Sequence, residues 1–290
     1  MILVTGATGH FGNAVIEFLL KKGVPASNIS ALARDSAKAE ALKAKGVTIK
    51  IGDYDNYSAL MQAFKGVDQL LLVSGSDLEK RGKQHENVVK AAVEAGVKHI
   101  YYTSIDRKSD NAEASPIALV MKTHLDTERH IKSSGMAYTL LRNNIYADMI
   151  PMFLGEQVAN TGVFFPAGEG KVAFATRENM AEATAAVLAS REHQNKELVF
   201  SNTDSISFGD IAAMLSDTLG TKIPYVNPTA EDFAQALSSA GVPAPIVTMS
   251  VEWAEAFKQG TFSQTSTDLE KLLGRKPTTV KEYLSGVYSS

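Results

Sequence analysis

The first half of the chain alternates short apolar runs with amphipathic stretches. Six runs rich in Val, Ile, Leu and Tyr predict strands at residues 2–4, 28–33, 47–51, 69–73, 99–103 and 138–142. Between them, apolar residues at helical spacing predict helices at residues 11–22, 36–45, 58–64, 86–95 and 116–133. Glycines of the C-cap type follow these segments at Gly23, Gly46, Gly66, Gly96 and Gly135. The alternation predicts an α/β fold with a Rossmann-type, doubly wound parallel sheet.

The pattern loosens beyond Tyr146. Residues 162–189 indicate a short strand, a turn and one helix, and residues 205–290 indicate several helices with proline-containing connections. We therefore expect a dinucleotide-binding domain over residues 1–150. A smaller, mostly helical substrate or lid domain is expected over residues 151–290, partly interleaved with the sheet. The polar segment 105–115 follows the fifth predicted strand, where a loop could gate the site.

Composition and charge narrow the class of protein. The 290 residues are 44% hydrophobic, which is enough for a large core. Because the net charge is −3 and no long Lys or Arg run occurs, we expect no nucleic-acid partner. Strand-like residues begin at Ile2 and no apolar stretch reaches the roughly 20 residues of a membrane span, so we expect a cytoplasmic protein without a signal peptide. The absence of cysteine excludes disulfides and thiolate catalysis, and the scattered histidines predict no metal site.

The segment VTGATGHFG, residues 4–12, has the strongest chemical signal. Gly6, Gly9 and Gly12 follow a predicted strand and open a predicted helix, which is the order that a dinucleotide-binding turn requires. The first glycine permits the tight turn, the second lets the backbone approach a pyrophosphate, and the third lets helix and strand pack closely. We expect Thr8, His10 and Phe11 to line this turn and contact the cofactor.

The end of the second strand indicates which cofactor is bound. An NAD site usually offers an acidic residue to the ribose hydroxyls, whereas this chain has Ala33 followed by Arg34. Arg34 can bind a 2′-phosphate through two hydrogen bonds, with Lys38 assisting, which favours NADPH. In the alternative interpretation, Arg34 simply pairs with Asp35 at the surface.

Two further strand ends carry candidate cofactor ligands. Asp53, in GDY after the third strand, could accept a hydrogen bond from the adenine amino group, with Tyr54 packing nearby. Alternatively, Asp53 caps the next helix. The small residues Ser74, Gly75 and Ser76 close the fourth strand and would let backbone lie against the nicotinamide ribose.

Several motifs together resemble the NmrA-like group of atypical short-chain dehydrogenases, most closely its bacterial NAD(P)H:quinone oxidoreductases and triphenylmethane reductases. They are TGATGHFG (5–12), GDY (52–54), YYTS (101–104), HLDTE (124–128) and YTLLRN (138–143). The resemblance covers nearly the whole chain. It implies that Asn143, Asn144, Ile145 and Tyr146 border the nicotinamide and the substrate cleft. The group also contains proteins that bind the dinucleotide as redox regulators without catalysis.

The resemblance also shows which catalytic residues are missing. The common superfamily carries a Tyr and, four residues later, a Lys on one helix face, with a Ser at the end of the fifth strand. With Glu128 aligned to the Glu that often follows that Lys, the Lys position holds His124 and the Tyr position holds Val120. Ser104 remains and is expected at the cofactor. Lys122 cannot replace the Lys, since two residues turn about 200° around a helix.

Without this proton relay, we expect hydride transfer only to delocalised small-molecule acceptors such as quinones and cationic dyes. His124 has three interpretations: a hydrogen bond to the nicotinamide ribose, a proton shuttle, or a pair with Glu128 one turn away. Tyr146 could donate to the acceptor oxygen or serve as packing. The sequence supports an NADPH-dependent reductase, with a non-catalytic NAD(P)-binding redox sensor as the alternative. It leaves the oligomeric state open, a homodimer included.

Overall fold

The computed structural model describes residues 1–155 and 157–289 and divides into two compact units. Unit 1 consists of Met1–Ile105, Leu119–Asn143 and Glu178–Val199. Unit 2 consists of Asp106–Ala118, Asn144–Arg177 and Phe200–Ser290. The expected domain division at residue 150 stays a prediction, since it concerns which segment carries the cofactor and which the substrate.

Unit 1, apart from residues at its boundaries, contains one sheet and six helices within the described ranges. The sheet has the strand order β3-β2-β1-β4-β5-β6-β9. Its strands are β1 (Ile2–Val4), β2 (Ile29–Ala33), β3 (Thr48–Ile51), β4 (Gln69–Leu72), β5 (His99–Ile105), β6 (Ala137–Asn143) and β9 (Lys196–Phe200). The helices are α1 (His10–Lys21), α2 (Glu40–Ala44), α3 (Tyr57–Ala63), α4 (Arg81–Glu94), α5 (Ala118–Lys132) and α8 (Arg177–Ser190).

The six predicted strands all form, and each pairs in parallel with its neighbours. In β1 and β4 every residue is buried, because a parallel sheet is covered by helices on both faces. The strand order reverses at β1, between β2 and β4. In folds of this kind the crevice at that reversal, at the carboxyl ends of the strands, receives the ligand. The Rossmann-type fold predicted from the sequence is confirmed.

Two elements differ from the sequence prediction. The strand β9 was not predicted, because its first residues, Lys196 and Glu197, are charged and exposed. The helix α4 begins at Arg81 instead of Glu86, after a turn in which the Asp77 carboxylate accepts the Lys80 N–H (3.2 Å). The predicted helix starts one turn late because the buried face of the first turn carries an arginine and a histidine instead of aliphatic residues.

Unit 2 contains short strand pairs and helices. Strand β8 (Lys171–Val172) pairs with β10 (Ile206–Ser207) in antiparallel fashion, and β7 (Val163–Phe164) pairs with β11 (Tyr225–Val226) in parallel. The helices are α6 (Ile150–Leu154), α7 (Val158–Thr161), α9 (Phe208–Leu219), α10 (Ala230–Ser239), α11 (Ala244–Lys258), α12 (Asp268–Leu273) and α13 (Val280–Tyr288). An aromatic cluster forms its interior, with Phe165 stacked on Phe208 at 4.3 Å between ring centroids.

Across the described ranges, none of these helices combines the length and apolar character that crossing a bilayer would require.

Candidate functional site

Glycine makes possible the turn between β1 and α1. Gly6 has φ of +57°, in the left-handed region, and a Cβ there would lie 3.1 Å from Val73 Cβ. The N–H of Gly9 donates to the Gly6 carbonyl over 3.0 Å. A Cβ on Gly12 would collide with the same carbonyl oxygen. The helix therefore begins in direct contact with the turn, and a side chain at any of these glycines would disturb it.

The turn leaves the start of α1 open to solvent. The N-cap residue is Gly9, so no cap side chain closes the first turn, and that turn has no acidic residue. Thr8, Gly9 and His10 are exposed, whereas Phe11 is buried at 6% exposure. A helix start of this kind presents N–H donors and a positive dipole end to an anion. The Phe11 side chain belongs to the interior, so its predicted cofactor contact would come from the main chain.

The end of β2 carries an exposed cation. Arg34 directly follows the strand and is exposed, as are Asp35 and Lys38. The Asp35 carboxylate accepts the Ala37 N–H (2.9 Å), and within the described ranges no ion pair joins it to Arg34. In the structure this carboxylate turns back onto its own chain, which favours the phosphate interpretation of Arg34, and both interpretations stay predictions. The guanidinium remains available to a 2′-phosphate.

The end of β3 places Asp53 in a turn and not at a helix cap. Its carboxylate accepts the Asp55 N–H over 3.0 Å. The cap of α3 is Asn56, whose side-chain oxygen accepts the Ala59 N–H over 3.0 Å. The alternative in which Asp53 caps the helix is therefore wrong, since Asn56 has the three-residue spacing that a cap needs. A contact between Asp53 and adenine stays a prediction.

Tyr54 joins the ends of two neighbouring strands. Its hydroxyl is hydrogen-bonded to the Val73 carbonyl (2.9 Å) after β4 and to the Thr5 hydroxyl after β1. The Thr5 hydroxyl in turn accepts the Val73 N–H over 2.9 Å. Burial raises the pKa of Tyr54, so the phenol stays protonated and these bonds persist at physiological pH. The tyrosine thus bridges the ends of β1 and β4, where the strand order reverses.

The loop after β4 has small side chains and a fixed backbone. Ser74 and Gly75 are half-buried and Ser76 is exposed. The Ser74 N–H donates to the Thr103 hydroxyl over 2.8 Å. A Cβ on Gly75 would lie 3.3 Å from Gln84 Oε1, so this position has little room for a side chain. These are the residues predicted to lie against the nicotinamide ribose, and that role stays a prediction.

A buried histidine holds the same loop. The Gly75 N–H donates to His85 Nε2 over 3.1 Å. Because Nε2 accepts, the ring proton lies on Nδ1, which is 3.0 Å from the Thr127 hydroxyl oxygen on α5 and donates to it. Burial first, and then the charge of Arg81, lower the pKa of His85 to about 3, so the ring is neutral. His85 therefore connects the loop after β4 to α5.

Arg81 is a buried cation bound to the same helix. It is 5% exposed, and its Nε donates to the Thr123 hydroxyl over 3.1 Å. Its Nη2 donates to the Val120 carbonyl over 3.2 Å. No carboxylate lies within 4.0 Å of this guanidinium in residues 1–155 and 157–289. Burial lowers the pKa of Arg81, and the nearby Tyr102 opposes that shift.

His124, at the position of the missing lysine, faces a strand hydroxyl. Its Nδ1 lies 2.7 Å from the hydroxyl of Tyr102 on β5, and both side chains are buried. Burial raises the pKa of Tyr102, so this phenol is protonated. The contact orients the imidazole ring through one of its two nitrogens. The three interpretations of His124 stay predictions.

Ser104, the remaining member of the standard relay, is bonded to a carboxylate. Its hydroxyl donates to Glu128 Oε1 on α5. Arg142 Nη2 lies 3.4 Å from Glu128 Oε2 and 2.6 Å from Glu197 Oε2. A serine hydroxyl has one proton, and here that proton is directed at Glu128. Ser104 can thus accept a hydrogen bond from a cofactor but has no second proton to donate.

Asn143 and Asn144 are the residues at which the chain passes from unit 1 to unit 2. Asn143 is the last residue of β6 and is buried. In unit 2, Asn144 Nδ2 donates to Asp106 Oδ2 (2.8 Å) and to the Phe262 carbonyl (3.1 Å). Its Oδ1 accepts the N–H of the buried Ile145 over 2.8 Å. The Asn144 side chain therefore ties three segments of unit 2 together, and a cofactor contact by residues 143–145 stays a prediction.

Tyr146, also in unit 2, stacks with a cation. The guanidinium carbon of Arg177 lies 4.7 Å from the centre of its ring. Arg177 Nη1 lies 3.3 Å from Asp148 Oδ1, and the backbone N–H of Arg177 donates to Asp148 Oδ2 over 2.8 Å. One face of the ring thus packs against a positive charge. Donation from Tyr146 to an acceptor stays a prediction.

Sequence reasoning missed Arg81, His85 and Tyr102. The two α4 residues belong to one series of buried positions on that helix, Arg81, His85, Val88, Val89 and Ala92. Residues four, seven, eight and eleven positions apart lie on one face of a helix, so the spacing already indicated that Arg81 and His85 are buried. Tyr102 lies within the predicted fifth strand, where the sequence gives no signal of its contact with His124.

The fold and the site define a class of protein. A strand order that reverses at β1, a glycine turn under an open helix start and a cation after β2 are the features of a Rossmann-type dinucleotide-binding protein. The chain belongs to the NmrA-like family, whose sequence profile matches residues 1–284. The family resemblance inferred from the motifs is confirmed.

Individual relatives agree with this assignment. Quinone oxidoreductase 2 of Escherichia coli (strain K12) is 39% identical over 290 residues, which are 100% of this chain and 99% of that protein. The structure of the Escherichia coli NADPH-dependent quinone oxidoreductase complexed with NADPH matches with a TM-score of 0.93 at 38% identity, covering 99% of this chain and 100% of that chain. Citrobacter sp. triphenylmethane reductase complexed with NADP(H) matches with a TM-score of 0.89 at 38% identity, covering 100% of both chains.

Proposed function

We propose that this protein transfers a hydride from NADPH to quinone-like or other delocalised acceptors without a built-in hydroxyl acid. The observation that carries the proposal concerns the three positions of the standard proton relay. The tyrosine position holds Val120 and the lysine position holds His124. The third, Ser104, directs its only hydroxyl proton at Glu128. None of the three offers a hydroxyl proton to a substrate oxygen.

The chain is an NAD(P)H-dependent oxidoreductase, and NADPH is its cofactor. The glycine turn and the uncapped start of α1 provide N–H donors for the pyrophosphate. Arg34, without a partner in Asp35, would bind the 2′-phosphate, and Asp53 the adenine amino group. The backbone of Ser74 to Ser76, with Ser104, would lie at the nicotinamide end. When bound, NADPH supplies the hydride, and the protein supplies its position.

The energy of the product decides which acceptors can do without an acid. Hydride addition to a simple ketone gives an alkoxide about as basic as hydroxide, whereas a reduced quinone anion resembles a phenolate, which is a weaker base by about six pKa units. Those roughly six pKa units correspond to about 8 kcal/mol of free energy that the protein need not supply to stabilise the quinone product. A positioned general acid supplies about 10²- to 10⁴-fold, or roughly 3–5 kcal/mol. Its loss is therefore tolerable for a quinone and severe for a ketone.

The remaining task of the site is to position cofactor and acceptor. Holding the reacting atoms in line can supply several kcal/mol on its own. His124 is suited to fix the nicotinamide ribose, since Tyr102 already orients its ring. Tyr146 is the candidate contact for the acceptor oxygen. The small-molecule acceptor follows from the reductase class, while its identity, the cytoplasmic location and the oligomeric state stay predictions.

The first test is turnover. Purified protein is mixed with NADPH and, in separate reactions, with a set of quinones, a triphenylmethane dye and an aliphatic aldehyde. Oxidation, followed as loss of the reduced-nicotinamide absorbance, is expected with quinones and the dye and not with the aldehyde. Rapid reduction of the aldehyde alone would contradict the proposal. Tight NADPH binding without oxidation by any acceptor would instead favour the redox regulator.

The second test addresses cofactor choice. Arg34→Ala should weaken NADPH binding by about 10- to 100-fold, the size expected for charge-assisted hydrogen bonds to a phosphate, and leave NADH binding nearly unchanged. Arg129→Ala is the matched control, because Arg129 is an exposed cation paired with Asp126 on α5. Isothermal titration with both cofactors gives the comparison. Equal affinity of the wild-type protein for NADPH and NADH would refute the role of Arg34.

A further inference from the structure

We propose that Arg81 is a specificity-determining residue whose buried positive charge makes the site bind the reduced cofactor more tightly than the oxidised one. The inference rests on the proposed function, because it assumes that the nicotinamide lies at the ends of β4 and β5. It goes beyond that function because Arg81 lies outside the glycine turn and is not one of the three relay positions.

Arg81 lies where two predicted nicotinamide contacts meet. Its side chain passes the loop after β4, since a Cβ on Gly75 would lie 3.9 Å from Arg81 Cγ. Its guanidinium binds Thr123 and the Val120 carbonyl on α5, beside His124 in the sequence. Both the loop and this turn of α5 are assigned to the nicotinamide end in the proposed function. One cation therefore borders that end from inside unit 1.

The charge of Arg81 is not neutralised by its neighbours. The ionisable groups that face it are His85 and Tyr102, and both are uncharged because burial holds the first deprotonated and the second protonated. The acidic group next to Tyr102 is Glu128, whose carboxylate is bonded to Ser104 and Arg142. Because the hydrogen-bond partners of this guanidinium on α5 are neutral, a local positive potential remains at this end of the sheet.

This potential distinguishes the two redox states of the cofactor. The oxidised nicotinamide ring carries a positive charge and the reduced ring carries none, while the phosphates of the two forms are alike. A fixed cation therefore repels the oxidised ring selectively. For two unit charges about 10 Å apart, at the effective dielectric constant of a protein site, the repulsion changes an affinity on the order of tenfold. NADP⁺ would therefore dissociate more readily than NADPH.

The test measures binding in the absence of any acceptor. Dissociation constants of NADPH, NADP⁺ and 2′-phospho-ADP-ribose, which lacks the nicotinamide, are determined by titration calorimetry for four proteins. They are the wild type, Arg81→Met, Arg81→Lys and the control Arg129→Met, which removes an exposed charge from α5. We expect the wild type to prefer NADPH over NADP⁺ by about tenfold. Arg81→Met should lose most of this preference, and Arg81→Lys and Arg129→Met should keep it.

The analogue without nicotinamide separates charge from damage to the fold. Its affinity should be the same in all four proteins, because it makes the phosphate contacts and lacks the ring. Equal affinities of the wild type for NADPH and NADP⁺ would overturn the inference even if Arg81→Met failed to fold. An unchanged preference in a folded Arg81→Met would also overturn it. If neither cofactor nor the analogue bound the wild type, the proposed function itself would fail.

Discussion

Replacing His85 with glutamine should make the protein more tolerant of acid. In the folded protein the pKa of His85 is lowered from 6.5 to about 3, by burial first and by Arg81 second. In the unfolded chain the imidazole takes up a proton near pH 6.5. Between these two values the unfolded state binds more protons than the folded state, so stability is complete above pH 6.5 and falls as the pH decreases towards 3. Glutamine can keep both hydrogen bonds, to Gly75 and Thr127, and does not titrate.

The magnitude follows from the two pKa values. At pH 5 the unfolded state has gained about 2 kcal/mol from protonation of this one group, and by pH 3 the loss is about 4 kcal/mol. His99 adds a similar share at pH 5, because burial lowers its pKa to about 4. The wild type should therefore lose about 4 kcal/mol between pH 7.5 and pH 5 from the two histidines, and His85→Gln about half of that.

Urea unfolding followed by far-UV circular dichroism at pH 7.5, 6 and 5 measures the effect. The comparison uses the change in unfolding free energy with pH, so a constant cost of the substitution cancels. His99→Gln is the matched control, since it removes the pH dependence due to His99 alone. His99 lies on β5, where its ring stacks on Tyr101 at 4.0 Å between centroids. The double variant should lose about 4 kcal/mol less than the wild type between pH 7.5 and pH 5. If His85→Gln and the wild type lost stability in parallel, the neutral buried state of His85 would be refuted.

Three further predictions concern single contacts. Gly12→Ala places a Cβ against the Gly6 carbonyl, so it should destabilise the protein by about 1–3 kcal/mol and weaken NADPH binding. The control is Gly82→Ala in α4, whose Cβ would meet no atom within 4 Å and which should stabilise the protein by about 0.5–1 kcal/mol. Thermal unfolding measures the stability of both variants, and calorimetry measures their NADPH binding. Tyr54→Phe removes the hydrogen-bond partner of the Thr5 hydroxyl and the Val73 carbonyl, so it should lower the free energy of unfolding by about 1–3 kcal/mol. An unchanged midpoint of urea unfolding would argue against the bridge between β1 and β4. Ser207→Ala removes the capping box of α9 and should cost about 1 kcal/mol, while retention of wild-type stability would show that the cap contributes nothing.

Much of the fold was predictable because one physical signal dominates each element. Five of the six predicted strands are mostly buried, and strands covered by helices on both faces are rich in apolar residues. The signal failed where polar residues interrupt the apolar pattern of a helix or a strand. Arg81 and His85 concealed the first turn of α4, and the charged start of β9 concealed a strand at the end of the sheet order. The paired strands of unit 2 have two residues each, too few to show a period.

The candidate site was predictable only where backbone geometry dictates the residue. Glycines at 6, 9 and 12 could be interpreted because a side chain there would collide with neighbouring atoms. The alternatives at Asp35 and Asp53 could not be decided from sequence, since a short acidic side chain can bond to several nearby N–H groups. Tyr102 was out of reach for a different reason. Its role depends on His124, twenty-two positions away, and no local pattern records that pairing.

The bond from Ser104 to Glu128 limits what redesign could achieve. Suppose Val120→Tyr and His124→Lys were introduced to restore alcohol dehydrogenase chemistry. The two new side chains would meet a serine whose proton already points away from any carbonyl, towards a carboxylate that Arg142 holds in place. A third change, at Glu128, would be required before the serine could turn. Conversion to a ketone reductase would therefore involve the residues around Ser104 as well as the two relay positions.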